Sequence, residues 1–213
     1  MTPVMDFYFG HLSGNSARSA FALAETGASY TAHRLDIHAR ENRENAYLSV
    51  NPMGKIPSLV DGALTLWESN AINWYLAEKF PEARLLPRSI EGRARVQRWL
   101  FFQTAHVTPV CIPLFRAINQ RVKEFWRPVP DEKGAEAARK ELLRYLPVLD
   151  QGLANRDWFE GEFSLADIAY TPHFALVAEG GYDFSSFPRL AAWLDRVRNR
   201  PAWKKAAQLV FGE

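Results

Sequence analysis

The sequence predicts an α/β unit followed by an all-helical one. Three observations carry this. Up to about residue 80, short β-rich runs alternate with helical patterns. Two of those runs, 56–60 and 63–67, lie around Asp61-Gly62, a hairpin turn signal. Beyond Phe80-Pro81 the 213-residue chain shows helical periodicity and no strand pattern. The expected division is 1–80, a linker at 81–88, and a helical part at 89–213.

In order, residues 4–9 form a short β-rich run and residues 10–16 are turn chemistry. A helix follows to about Thr26, with Gly27 as its stop. Residues 30–37 read as a second strand, and 39–49 are polar and weakly helical. Pro57 heads the hairpin; lacking an N–H for a ladder, it belongs at an edge or a strand start. A cis Ile56–Pro57 peptide would aim the Ile56 backbone outward as an unfilled edge, where an extended peptide can pair. Glu68-Ser69 then opens an apolar periodic segment (Ala71, Ile72, Trp74, Tyr75, Leu76, Phe80) that Pro81 ends. Ser69 reads as its N-cap, and free N–H groups at a helix start bind an anion.

In the helical part, one helix begins near Ser89 and runs through Trp99 and Phe102, with Pro109 and Pro113 expected to bend or end it. Residues 127–131 form a loop. The next helix puts Ala135, Ala138, Leu142, Leu146, Leu149 and Leu153 on one face, and Pro147 is expected to kink it. Ser164-Leu165-Ala166-Asp167 is a capping signal, in which the buried cap outweighs a catalytic Asp167. Pro188 and Pro201 suit the first positions of the last two helices.

Formal net charge is +2. Residues 1–80 carry 6 Lys/Arg and 8 Asp/Glu; the remainder carries 20 and 16, interleaved rather than clustered, which argues against nucleic acid. No signal peptide is expected at Met1, and the uncharged stretch 99–115, broken by prolines, is too short for a bilayer. The lone Cys111 excludes an internal disulfide and any Cys-x-x-Cys centre. The five histidines lack ligand spacing, so no metal is expected, and no glycine-rich loop follows a strand to hold a nucleotide. The expected setting is the cytoplasm.

Asn51-Pro52-x-Gly54-Lys55-Ile56-Pro57-x-Leu59-x-Asp61-Gly62, then Glu68-Ser69-x-Ala71-Ile72-x-x-Tyr75-Leu76, resembles the glutathione-binding domain of the cytosolic glutathione transferases. The order and spacing of that family's motif are kept. Ser164 to Asp167 and the run from Pro188 to Ala202 extend the resemblance, more loosely, over the helical part. The β-α-β-α-β-β-α order then resembles a thioredoxin-like domain. The resemblance implies that Ile56, ahead of a cis Pro57, pairs through its backbone with the cysteinyl part of glutathione. It implies that Glu68 and Ser69 hold the γ-glutamyl end. Lys55 is either a cation for a carboxylate, such as the glycyl end of glutathione, or a solvated loop lysine.

A free thiol titrates near ~8.5, so only a few per cent is thiolate at neutral pH. A hydroxyl donor and a helix N-terminus both stabilise the thiolate. The first strand–helix junction offers Ser13 and Ser16, spaced like a thioredoxin-type cysteine pair. His11-x-Ser13 with Arg18 further on resembles the phi- and theta-like groups, which puts the role on Ser13. Ser16 is the alternate and Asn15 the third choice. Tyr8 lies inside a strand, and the loop holds no cysteine. A largely apolar electrophile is expected between the two parts, beside Leu12; His106, Phe102 and Phe115 are candidates for its lining, each with a core-packing role as the alternative.

The implied function is glutathione transfer, of the kind used in detoxification, with glutathione as co-substrate, no tightly bound cofactor, and a homodimer in which Met53 lies where some relatives insert an apolar key. Rival readings are glutathione-dependent reduction, dehalogenation or isomerisation, and a non-enzymatic glutathione-binding scaffold.

Overall fold

The computed structural model describes residues 5–212. Val4, expected at the start of the first strand, lies outside them. Two compact units are present: one runs to Arg84 and also takes in the last helix, and the other is Leu85–Arg200.

The first unit contains β1 (Met5–Phe9), α1 (Gly14–Thr26), β2 (Tyr30–Arg34), a 3-10 turn (Glu41–Arg43), α2 (Asn45–Leu48), β3 (Ser58–Asp61), β4 (Leu64–Trp67), α3 (Ser69–Lys79) and α10 (Pro201–Phe211). The sheet order is β2-β1-β3-β4, with β1 and β2 parallel and the other neighbours antiparallel. Met5, Phe7 and Phe9 are buried while Asp6 and Tyr8 are half-buried, so alternation sets the core face of β1. α1 is alanine-rich on its buried side, with Phe21 and Leu23 fully enclosed. Gly27 ends it at φ 66°, the left-handed geometry that glycine adopts without a Cβ clash. Asp61 at the hairpin turn accepts from the Tyr75 hydroxyl (2.6 Å) and pairs with Lys79, which ties β3 to α3. The bonds from Lys79 and Tyr75 hold the Asp61 carboxyl below its ordinary range.

The last helix departs from the expected division. α10 buries Trp203, Ala206, Ala207, Val210 and Phe211. Trp203 meets Phe21 of α1 edge-on at 5.5 Å, and the Val210 carbonyl accepts from the Leu12 N–H (3.0 Å). An amphipathic stripe declares that a helix must be covered, not which unit covers it.

The second unit is helical: α4 (Ile90–Phe102), a π-helical turn (Gln103–Val107), α5 (Thr108–Ile118), α6 (Gln120–Phe125), α7 (Glu132–Gly152), α8 (Leu165–Glu179) and α9 (Pro188–Arg198). Pro109 and Pro113 do not end the helical path: the π turn precedes Pro109, which takes a first-turn position of α5, and Pro113 lies inside that helix. α7 runs unbroken through Pro147. Pro147 and Leu143, whose carbonyl loses the helical donor, are both exposed, so water can replace the missing bond. Among the described residues no helix is long and apolar enough to cross a membrane.

α8 is buried on every side from Leu165 to Val177 and forms the core of its unit. Its start carries the expected capping box between Ser164 and Asp167. Asp167 does more than cap. Its carboxyl accepts from Trp193 Nε1 (2.8 Å), the Phe159 N–H (3.2 Å) and the Ser164 N–H (2.9 Å). One side chain thereby fixes α8, α9 and the segment before them. Trp193 and Trp99 are core residues; Trp99 donates to Glu160 (2.8 Å).

Removing this carboxyl strands three enclosed donors, each worth roughly 1–3 kcal/mol. Asp167→Ala is expected to lower the unfolding free energy by about 3 kcal/mol or more, read as a lower urea midpoint. Burial pushes Asp167 up to about 7, against the pull of its donors. An unfolded aspartate titrates near ~3.9, so the native state keeps a proton that the unfolded chain releases. The stability this proton brings is complete below about pH 4 and fades as pH climbs through about 7. Urea series across that window should show the decline in the unaltered protein and lose it in Asp167→Ala.

Candidate functional site

The register of the sheet assembles the site. Tyr8 of β1 faces Ser58 of β3, and Ser58 faces Trp67 of β4. One step beyond that row lie the end of β1 with the loop to α1, the Ile56-Pro57 pair, and the Glu68-Ser69 junction. All three meet at one end of the sheet. Gly10 abuts Ile56 so closely that a Cβ on Gly10 would stand 2.2 Å from the Ile56 side chain.

Ser13 is the N-cap of α1, and its Oγ accepts from the Ser16 N–H at 3.2 Å. Ser13 is half-buried. Ser16 is fully enclosed, and its Oγ accepts from the Gly10 N–H (3.3 Å). Of the two serines, Ser13 alone has exposed surface. Asn15 is turned to Arg18, whose Nη1 donates to its Oδ1 at 3.1 Å. Leu12, at φ 50° and buried, is anchored by the Val210 carbonyl, which also accepts from His11 Nδ1 (3.0 Å). α10 thus holds the loop that carries Ser13.

The Ile56–Pro57 peptide is cis. Of the two places expected for Pro57, a sheet edge or a strand start, the structure takes the second: β3 lies between β1 and β4, and Ile56 and Pro57 precede its first paired residue. Pro57 is a strand-start proline. Among the described residues, the Ile56 N–H and C=O take no hydrogen-bond partner. The loop before them is well held. Lys55 O accepts from the Tyr47 hydroxyl (2.5 Å) and Asn51 Nδ2 (2.7 Å), and Gly54 O accepts from Asn42 Nδ2 (2.7 Å). The Lys55 side chain is exposed.

The cap of α3 is also corrected. Glu68 takes the N-cap position at φ 69°, where the chain turns out of β4, and its side chain makes no capping bond. Ser69 becomes the first helical residue, and its Oγ accepts from Arg18 Nη1 at 2.7 Å. The Glu68 carboxylate is exposed and has no partner among the described residues. Arg18, 3% exposed, therefore ties the start of α1 to the start of α3.

His106 lies in the second unit, on the π turn, exposed beside Phe102 (5.5 Å) and Tyr145 (5.7 Å). Phe115 is buried against His173 at 5.7 Å, and Cys111 is buried. Among the described residues no cluster of three His, Cys, Asp or Glu could hold a metal ion.

Residues 5–78 match the family described as glutathione S-transferase, N-terminal domain, and residues 104–201 match glutathione S-transferase, C-terminal domain. The chain belongs to the glutathione S-transferase family. Glutathione S-transferase F10 of Arabidopsis thaliana is 32% identical over 205 residues, covering 93% of this chain and 94% of that one. A probable glutathione S-transferase of rice is 31% identical, covering 97% of each. The glutathione-bound theta-class glutathione S-transferase of Xanthomonas axonopodis pv. citri superposes with a TM-score of 0.86 at 30% identity, covering 96% of this chain and 97% of that one.

For a glutathione S-transferase chain, three groups beside this site went unread in the sequence. Tyr47 sits in a four-residue helix too short for a periodic signal. Asn42 lies in a 3-10 turn. Asn51 stood inside the motif, but nothing marked its side chain as a clamp.

Arg18 joins two helix starts through a planar donor that Lys does not reproduce. Arg18→Ala should lower stability by about 2 kcal/mol, the cost of losing hydrogen bonds to a buried charge. Arg18→Lys should recover little of it, as thermal unfolding would show.

Proposed function

We propose that this glutathione transferase binds glutathione along the Ile56 backbone and delivers its sulfur to Ser13, for attack on a largely apolar electrophile. The observation that carries this reading is the meeting of three features at one end of the sheet: an unpaired Ile56 backbone, a half-buried Ser13 hydroxyl at a helix start, and the Glu68-Ser69 junction. The cysteinyl segment adds to Ile56 as a short strand. The α-ammonium group of the γ-glutamyl residue meets the Glu68 carboxylate. The neighbouring carboxylate meets Ser69 and the first N–H groups of α3. Lys55 receives the glycyl carboxylate.

Ser13 has one hydroxyl proton and two lone pairs. One lone pair serves the cap of α1, which leaves the proton to be donated to the sulfur. That bond, with the dipole of α1, lowers the thiol pKa; each unit is worth about 1.4 kcal/mol. The thiolate forms a C–S bond with the electrophilic carbon, and the leaving group departs with the electron pair. The protein contributes orientation and thiolate stabilisation. Leu12 and His106 are proposed to contact the second substrate. A homodimer is also proposed, with Met53, 52% exposed, as an apolar key, and a cytoplasmic setting accords with Cys111 as a free thiol.

The protein should be retained on glutathione-agarose and conjugate a chloronitrobenzene. Ser13→Ala should keep retention but lose about tenfold or more in turnover, the scale of one charge-assisted hydrogen bond. The rising limb of its pH–rate profile should move toward the free-thiol value of ~8.5. Equal losses of retention and turnover would remove Ser13 from the sulfur. Retention of the unaltered protein without turnover would favour a binding or reductase role.

A further inference from the structure

We infer that Tyr47 is a positioning residue for glutathione: its hydroxyl braces both sides of Ile56-Pro57 and thereby aims the Ile56 N–H at the bound tripeptide. This rests on the reading of Ile56 given above.

Tyr47 is 4% exposed and lies in α2. Its oxygen is 2.5 Å from Lys55 O and 2.8 Å from Ser58 Oγ. Donor accounting orients the chain. A carbonyl only accepts, so the single phenolic proton goes to Lys55 O. Ser58 Oγ–H must then donate to the Tyr47 oxygen. Burial pushes the Tyr47 phenol above its ordinary value, which keeps that proton in place at working pH. Asn51 Nδ2 supplies a second donor to Lys55 O at 2.7 Å, so both lone pairs of that carbonyl are used.

The consequence is directional. Lys55–Ile56 is not among the cis bonds, so the Lys55 C=O and the Ile56 N–H point in opposite directions within one rigid plane. Pinning the carbonyl inward toward Tyr47 and Asn51 turns the Ile56 N–H away from them, where it finds no partner among the described residues. Ser58, on the far side of Pro57, is fully enclosed and opens β3. A single hydroxyl therefore fixes the segment before and after the two residues that a strand-adding ligand would meet. With the plane fixed in advance, the ligand does not bear the ordering cost.

The test is calorimetric titration of glutathione into the full chain and three variants, with steady-state kinetics and thermal unfolding alongside. Tyr47→Phe should raise the glutathione Kd and KM about tenfold, while kcat at saturating glutathione stays within about twofold. Ser58→Ala, which keeps the Lys55 bond but removes the brace beyond Pro57, should raise Kd about threefold. Tyr75→Phe loses a comparable tyrosine bond, to Asp61 at the hairpin turn, and should lower Tm without changing Kd. Unchanged Kd in both Tyr47→Phe and Ser58→Ala, beside tight binding by the unaltered protein, would overturn the inference and leave the site reading standing. A loss of kcat with no change in Kd would also overturn it. If the unaltered protein binds no glutathione, the reading at Ile56 fails first and the inference goes with it. Should Tyr47→Phe fold poorly, Ser58→Ala decides alone.

Discussion

The hydrogen-bond register across β1, β3 and β4 is the constraint on which the rest of the first unit depends. Tyr8, Ser58 and Trp67 stand in one row. A slip of one residue along β3 would send Leu59 out of the core and turn the segment before it to the other face. Leu59 is 1% exposed, so that slip is strongly opposed. The same burial that stabilises the sheet therefore determines that Gly10, Ile56 and Glu68 end up together.

Around that row the site is held from behind. Arg18 joins the starts of α1 and α3, α10 secures the loop of Leu12 and Ser13, and the short helix α2 secures Lys55. These supports are polar groups that are buried and hydrogen-bonded, and each loses more by moving than an exposed contact would. The candidate ligand groups, by contrast, keep unspent capacity: the Ile56 backbone, the exposed Glu68 carboxylate and the proton of the Ser13 hydroxyl. The division of labour is between satisfied groups that hold and candidate ligand groups with hydrogen-bonding capacity to spare. In the second unit Asp167 plays the holding part, with a carboxyl shared among α8, α9 and the chain before them.

Much of this was legible in the residues. Asp61-Gly62, Gly27, Ser164 to Asp167, Pro188 and Pro201 marked turns and helix ends through local chemistry, and each does so in the structure. The site motif was legible as a string. Less legible was everything that depends on distant partners. Ser69 was read as a cap because serine usually is one; the turn out of β4 gives that place to Glu68 and spends the serine hydroxyl on Arg18. Ser13 and Ser16 could not be ranked by spacing alone. Burial separates them: Ser16 is fully enclosed and its Oγ is taken by the Gly10 N–H. Tyr47 gave no signal at all.

By itself, then, the sequence determined where the chain turns, which segments are strands and helices, and the order of an α/β unit before a helical one. Those features follow from φ preferences, capping side chains and hydrophobic period, which act over a few residues. The tertiary structure alone decided that α10 belongs with α1, that β3 lies inside the sheet, that Ser16 is sealed while Ser13 is not, and that Tyr47 reaches the Lys55 carbonyl. Each of these depends on which surfaces meet across long stretches of chain. Local periodicity states that a face must be buried; only the assembled packing states against what.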